Sequence, residues 1–218
     1  QLPRDTPHES ATPPAPLGQS KGIVYRLAAL FTIDSFAGGF TAQSLIALWL
    51  HQRYELSLVT ISTIFFWLSL FAAVSFLIAP RIAKRIGLVN TMAWTQIPAN
   101  VFVLLAPFMP DLTWTLACLM LRAFLSQMDV PTRNSYVMAV VTPAERASAA
   151  SVTAVPSSLG AAVSPAIAGH MLAISSFGWP LVLCGVLKLV YDVLLLRTFS
   201  HIKPPEEGGK DHSKPSGN

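Results

Sequence analysis

Charge is what this sequence is shortest of. Asp, Glu, Lys and Arg make up 12% of its 218 residues, against about 25% in soluble domains. Hydrophobic residues make up 52% and the mean hydropathy is +0.52. This balance excludes an ordinary soluble domain and points to a polytopic membrane protein. Cysteine is scarcer still. Cys118 and Cys184 both lie inside apolar runs, so no disulfide framework or thiolate metal site is expected, and both read as small core residues. The sequence also lacks a nucleophile–base arrangement, a Gly-rich phosphate loop, a His-x-x-x-His pair and any cluster with metal-ligand spacing. It therefore points to no enzyme, no metal and no cofactor. The formal charge of +4 is not gathered on a basic face interleaved with aromatics, so nucleic acid is not an expected partner. There is no signal peptide, and the first residue is Gln1 rather than Met; the chain reads as a piece of a larger protein.

What is there divides into three parts. Residues 1–22 are rich in Pro, Ser and Thr and read as a disordered linker; residues 201–218 read as a disordered polar tail. Residues 23–200 hold six apolar segments, at 26–50, 57–79, 88–107, 113–140, 147–172 and 179–200, each near the ~20 residues that span a bilayer. The expected fold is all-α: six transmembrane helices with short connections, such as Pro80–Gly87 and Ser175–Gly178. Arg53 stands on one side of the membrane, whereas Lys21, Arg26, Arg81, Lys84, Arg85, Arg133, Arg146 and Arg197 fall on the other with the tails. The side rich in Lys and Arg is cytoplasmic, which puts both ends of the chain inside.

Polar residues interrupt the apolar runs at chosen places. Arg122, Ser126, Asp129 and Arg133 recur at i, i+4, i+7 and i+11, with Gln127 beside them, so on a helix the four share one face. Arg or Asp at the centre of a membrane helix costs roughly 2.5–3.5 kcal/mol, so such a stripe faces a partner helix or a water-filled pathway. Asp34 is the acidic residue of the first segment. Burial favours its neutral acid and a nearby cation favours its carboxylate, so a moving cation would couple helix motion to a proton. Asp34 is the better proton site, since no basic residue lies within one turn on its own helix; a bond to a neighbouring helix is the plainer alternative. Asp129 is expected to pair with Arg133 or Arg122 as a lock or a gate, and Arg122 to meet an anionic solute or a carboxylate. Lys188 and Asp192, at i and i+4, are expected to neutralise each other.

Asp34 and Asp129 fall at similar depth on oppositely directed segments, about eight and ten residues from their inner ends at 1.5 Å per residue. Segments one to three and four to six are thus expected to form two inverted triplets, a pattern found in transporters. Gly38 and Gly39 allow close approach or a bend. Residues 147–170 carry small residues at helical spacing, with Pro156 and Pro165 expected to bend the helix.

At this point the chain resembles the C-terminal half of a major facilitator superfamily transporter over roughly residues 22–200. Asp129–Val152 is similar to the end of the tenth helix and following loop of drug-efflux-like members, through Arg133, Tyr136, Pro143, Glu145, Arg146 and Ala149. Pro80–Gly87 is similar to the loop signature Gly-x-Leu-Ala-Asp-Arg-x-Gly, with Arg85 and Gly87 matching beside Arg81, Pro80 replacing the Gly and Lys84 the Asp. Gly160, Ser164, Pro165 and Gly169 resemble the Gly-Pro motif of antiporters, here in the eleventh rather than the fifth helix. The resemblance implies two six-helix bundles around a central cavity, rocker-switch alternating access, and a missing N-terminal half as partner. The expected function is proton-coupled export of a small organic solute across the plasma or inner membrane, with the proton and the lipid bilayer as the other partners. The alternative is a membrane scaffold or receptor-like protein whose polar residues serve assembly alone.

Overall fold

The computed structural model describes residues 21–86, 88–126, 141 and 145–199. Among them there is no strand. Helix α1 spans Lys21–Gly39, α2 Gln43–Tyr54, α3 Leu58–Ile86, α4 Leu88–Leu105, α5 Leu112–Ser126, α6 Arg146–Ile174 and α7 Trp179–Phe199; a 3-10 turn at Ala106–Phe108 follows α4. Four stretches are long and apolar enough to cross a membrane: Lys21–Tyr54, Leu58–Ile78, Arg146–Ile174 and Trp179–Thr198. Shorter apolar helices run over Thr95–Phe108 and Leu112–Ser126. The expected fourth segment begins as α5, and its remainder lies outside the described residues, as do residues 1–20 and 200–218, Gly87, Gln127, Asp129 and Arg133; Lys21 and Gly22, expected in the linker, instead open α1.

The outer surface fits lipid rather than water. On α3, Leu58, Val59, Phe66, Trp67, Leu70, Phe71, Val74, Phe76 and Leu77 are all exposed, while Ile61, Ile64 and Ser75 face inward. A continuous apolar surface of this extent is not carried by soluble monomers. Inside, α1 lies along α6 and also touches α7; α4 packs on α7 and α5; α5 packs on α3. One apolar core draws Trp49, Leu50, Ile61, Val103, Leu119, Leu172 and Leu181 from six of the helices. A second joins Leu27, Leu30 and Phe31 of α1 to Tyr191 and Leu195 of α7.

Two expected boundaries are corrected. Pro80–Ile86 is not a loop: α3 continues through Ile86, because Arg, Ala and Lys are good helix formers. The first segment is not one helix either. It breaks after Gly39 and resumes at Gln43. Glycine weakens a helix by roughly 0.5–1 kcal/mol relative to alanine, and here two stand together. The N–H groups of Phe40, Thr41 and Ala42 donate to the carbonyls of Ala37, Gly38 and Gly39, three residues back, at 3.1–3.3 Å. The Thr41 hydroxyl also donates to Gly38 O at 3.1 Å, the local competition by which Thr disfavours helix continuation. The break is thus a tightened turn whose backbone groups remain bonded, as hydrocarbon surroundings demand.

Small residues set the α1–α6 distance. A Cβ on Gly39 would collide with Ser164 Oγ and stand 3.1 Å from Ala161 O. Pro165 has no N–H to give Ala161 O four residues back, and that carbonyl is the one facing Gly39. Across the same seam, a Cβ on Gly160 would meet Thr32 O at 3.1 Å and Phe36 Cβ at 3.3 Å. Helix α6 runs unbroken through Pro156 and Pro165. Gly38 and Gly169 have nothing within 4 Å of such a Cβ.

One end of the bundle is closed by aromatics. Gly178, at φ +97°, lies under Trp49, where a Cβ would come 2.5 Å from Nε1. Phe177 packs edge-on to Phe108 and tilted against Trp179, with the Arg53 guanidinium 6.0 Å from its ring centre. The Tyr54 and Thr115 hydroxyls bond at 2.6 Å.

Gly39→Val is expected to lower stability by about 1–3 kcal/mol, the usual cost of overpacking a closed interface, while Gly38→Ala leaves it nearly unchanged. Thermal unfolding of the purified protein in detergent, followed by tryptophan fluorescence, checks the pair; equal effects would mean that α1 and α6 are not held at this distance.

Candidate functional site

A polar seam runs between α1, α5 and α7, and helical periodicity builds it. Cys184, Lys188 and Asp192 stand at i, i+4 and i+8 on α7, one face of an otherwise apolar helix. Asp34 precedes the α1 break by less than two turns, and Thr41 sits within it. Arg122 lies one turn before the end of described α5.

The Lys188 ammonium donates to Asp34 Oδ1 at 2.5 Å, with side-chain exposures of 13% and 11%. This is a cross-helix ion pair away from solvent. The expectation that Lys188 would neutralise Asp192 is corrected: Lys188 bonds Asp34 on α1, and Asp192 accepts from Asn100 Nδ2 of α4 at 2.8 Å. Both Asn100 and Asp192 are buried. An i, i+4 pair on one helix surface is worth a few tenths of a kcal/mol, which is little against the need of a second carboxylate, buried on α1, for a cation.

One turn along α7, at the level of the break, Arg122 Nη2 donates to Thr41 Oγ1 at 2.9 Å. The same hydroxyl lies 3.5 Å from Cys184 Sγ. Thr41 is therefore the junction of α1, α5 and α7, and its own proton goes to Gly38 O. Arg122 is half-buried.

Of the other residues singled out by sequence, Ser126 is half-buried at the end of described α5, one turn beyond Arg122. Glu145 is buried at the N-cap of α6, where a carboxylate suits the helix dipole, and Arg146 is exposed. Arg81 is exposed and donates to Leu77 O at 3.3 Å; Arg85 lies in the last turn of α3. Sequence reasoning did not bring out Thr41, Cys184, Asn100 or the role of Lys188. A lone lysine in the middle of an apolar segment was the available signal, masked by an acid four residues on.

These features define a class: a multi-pass helical membrane protein with charged side chains inside its bundle. The family model described as Major Facilitator Superfamily matches residues 28–217, and the chain belongs to that superfamily. Its class of activity is membrane transport of a solute. No curated protein and no solved structure matches the chain.

Removing one partner of a buried ion pair leaves the other uncompensated and costs about 3–5 kcal/mol. Lys188→Met or Asp34→Leu alone is expected to lower the unfolding temperature sharply, and the double variant to recover most of the loss. Thermal unfolding of the three variants checks this; additive losses would mean that the two side chains do not stabilise each other.

Proposed function

We propose that this chain is the C-terminal six-helix half of a proton-coupled exporter of small organic solutes, working by alternating access with an N-terminal half. One observation carries the reading: an ion pair, Asp34–Lys188, and a guanidinium, Arg122, are held inside the bundle where α1, α5 and α7 meet at a broken membrane helix. Buried charges are expensive in a bilayer, and a protein retains them where they work. The inverted-repeat architecture is supported by the packing. Exchanging α1, α3 and α4 with α5, α6 and α7 turns the α1–α6 contact into the α5–α3 contact. It likewise turns α1–α7 into α5–α4 and α3–α4 into α6–α7, all of which are made. The drug-efflux character rests on the similarity across Asp129–Val152, and the cytoplasmic placement of both ends, in the plasma or inner membrane, on the distribution of Lys and Arg.

Coupling then works through ion-pair exchange. While α1 and α7 stay together, Lys188 neutralises Asp34. When the bundle rocks and water enters the seam, the separated carboxylate takes up a proton in place of the ammonium. The break after Gly39 lets α1 shift against α6 and α7 while α2 remains tied into the aromatic end. Asp129 and Arg133 continue the stripe as a lock or gate.

The complete protein in inverted membrane vesicles tests the reading. With an imposed pH gradient followed by a fluorescent probe, a member of a panel of drug-like and sugar-like solutes is expected to dissipate the gradient, and Asp34→Asn to abolish the response. Unchanged coupled transport in Asp34→Asn would sink the proton role.

The Asp34–Lys188 pair also satisfies a scaffold that transports nothing, because it can tie α1 to α7 and do no more. Water access separates the two. In a variant lacking Cys118 and Cys184, a cysteine at position 38 or 126 is expected to react with a membrane-impermeant thiol reagent. Silence at both positions, in folded and inserted protein, favours the scaffold.

A further inference from the structure

We infer that the solute carries an oxyanion, a carboxylate or phosphate, and that Arg122 and Thr41 receive it. This deepens the transport reading above by naming a substrate class, and it comes from the charge balance of the seam. Asp34 and Lys188 cancel. Asp192 is buried against Asn100 of α4, two turns along α7 from Cys184. Arg122 remains. Among the described residues its one hydrogen-bond partner is the uncharged hydroxyl of Thr41, and no carboxylate lies within ion-pair distance of it. A guanidinium offers five N–H donors in a planar fork, and the bond to Thr41 uses one of them. The remaining fork is the geometry that takes an oxyanion in a bidentate bond.

Position supports the same assignment. Arg122 is half-buried rather than sealed. It meets the Thr41 hydroxyl at the break, where Thr41 is fixed through Gly38 O. Lys188 lies one turn along α7 from Cys184, which touches the same Thr41, but its charge is matched by Asp34, so among the described residues Arg122 is the cation of the seam left to an anion. A cationic solute would meet repulsion from Arg122, and a neutral one would bring it no counter-charge. An oxyanion satisfies it.

Binding rather than transport is the readout, so a failure here is separate from a failure of the exporter reading. The purified complete protein is unfolded thermally at constant ionic strength with sodium benzoate, sodium phenyl phosphate, benzamide or benzyltrimethylammonium chloride. A ligand that binds the folded state raises the unfolding temperature with concentration. Benzoate, phenyl phosphate or both are expected to do so, and the stronger of the two names the head group. Arg122→Gln is expected to weaken the apparent affinity about tenfold or more, Arg122→Lys to retain part of it, and Thr41→Val to weaken it less. If Arg122→Gln does not fold, protection of Arg122 from phenylglyoxal by benzoate in the wild type, read by mass spectrometry, gives the same answer. Three results overturn the inference. One is a response to benzamide or the ammonium equal to that of the anions; another is an anion response unchanged in Arg122→Gln. The third is no response to either anion; recovery of stability in Arg122→Gln/Asp129→Asn over Arg122→Gln would then make Arg122 a structural tie to Asp129.

Discussion

A charge in hydrocarbon has to find a counter-charge, and most of the arrangement around α7 follows from that requirement. Lys188 sits in the middle of a predominantly apolar segment, and it meets Asp34 on α1. The pair fixes the rotation of both helices about their axes, since turning either by one residue would move a charge into lipid. With that orientation set, Cys184 faces the α1 break, and Asp192, two turns further along, faces α4 and Asn100. Burial of an ion pair is weak evidence for stability, because desolvation offsets much of the attraction. Its larger effect here is on specificity: one registry of α1 against α7 is allowed.

Close packing supplies what the charges do not. In lipid there is no hydrophobic drive between helices, so α1 and α6 hold together through shape. Gly39 against Ser164 and Ala161, and Gly160 against Thr32 and Phe36, bring the backbones near enough for contact along the seam. The same glycines that permit this approach weaken the helix they occupy. The two demands meet at Gly38–Gly39, where α1 ends and Thr41 takes over the bonding.

Much of the architecture was legible because its signals are local. Apolar runs of membrane length, the scarcity of charge, the small-residue face of 147–170 and the Ser175–Gly178 turn all follow from composition and period, and α4, α6 and α7 lie close to where those patterns put them. The break at Phe40–Ala42 was less legible. Gly-Gly in a membrane segment is compatible with packing and with bending, and here it does both. The partner of Lys188 was illegible for a different reason. An acid four residues away on the same helix offered a sufficient local answer, whereas the actual partner is 154 residues distant. Thr41 as a junction depends in the same way on three helices meeting, which no single segment records.

The distance between Asp34 and Lys188 along the chain also has a consequence in time. Ribosomes add about 5–20 residues per second, so the 154 residues between the two take roughly 8–30 s to make. Throughout that interval α1 is already synthesised and its eventual ammonium partner does not yet exist. The nascent first helix must therefore wait beside the insertion machinery, near water, or enter lipid with Asp34 carrying a proton. Release of α1 into the bilayer as a charged, finished element is tied to the arrival of α7, which makes the last helix of the bundle the one that completes the first.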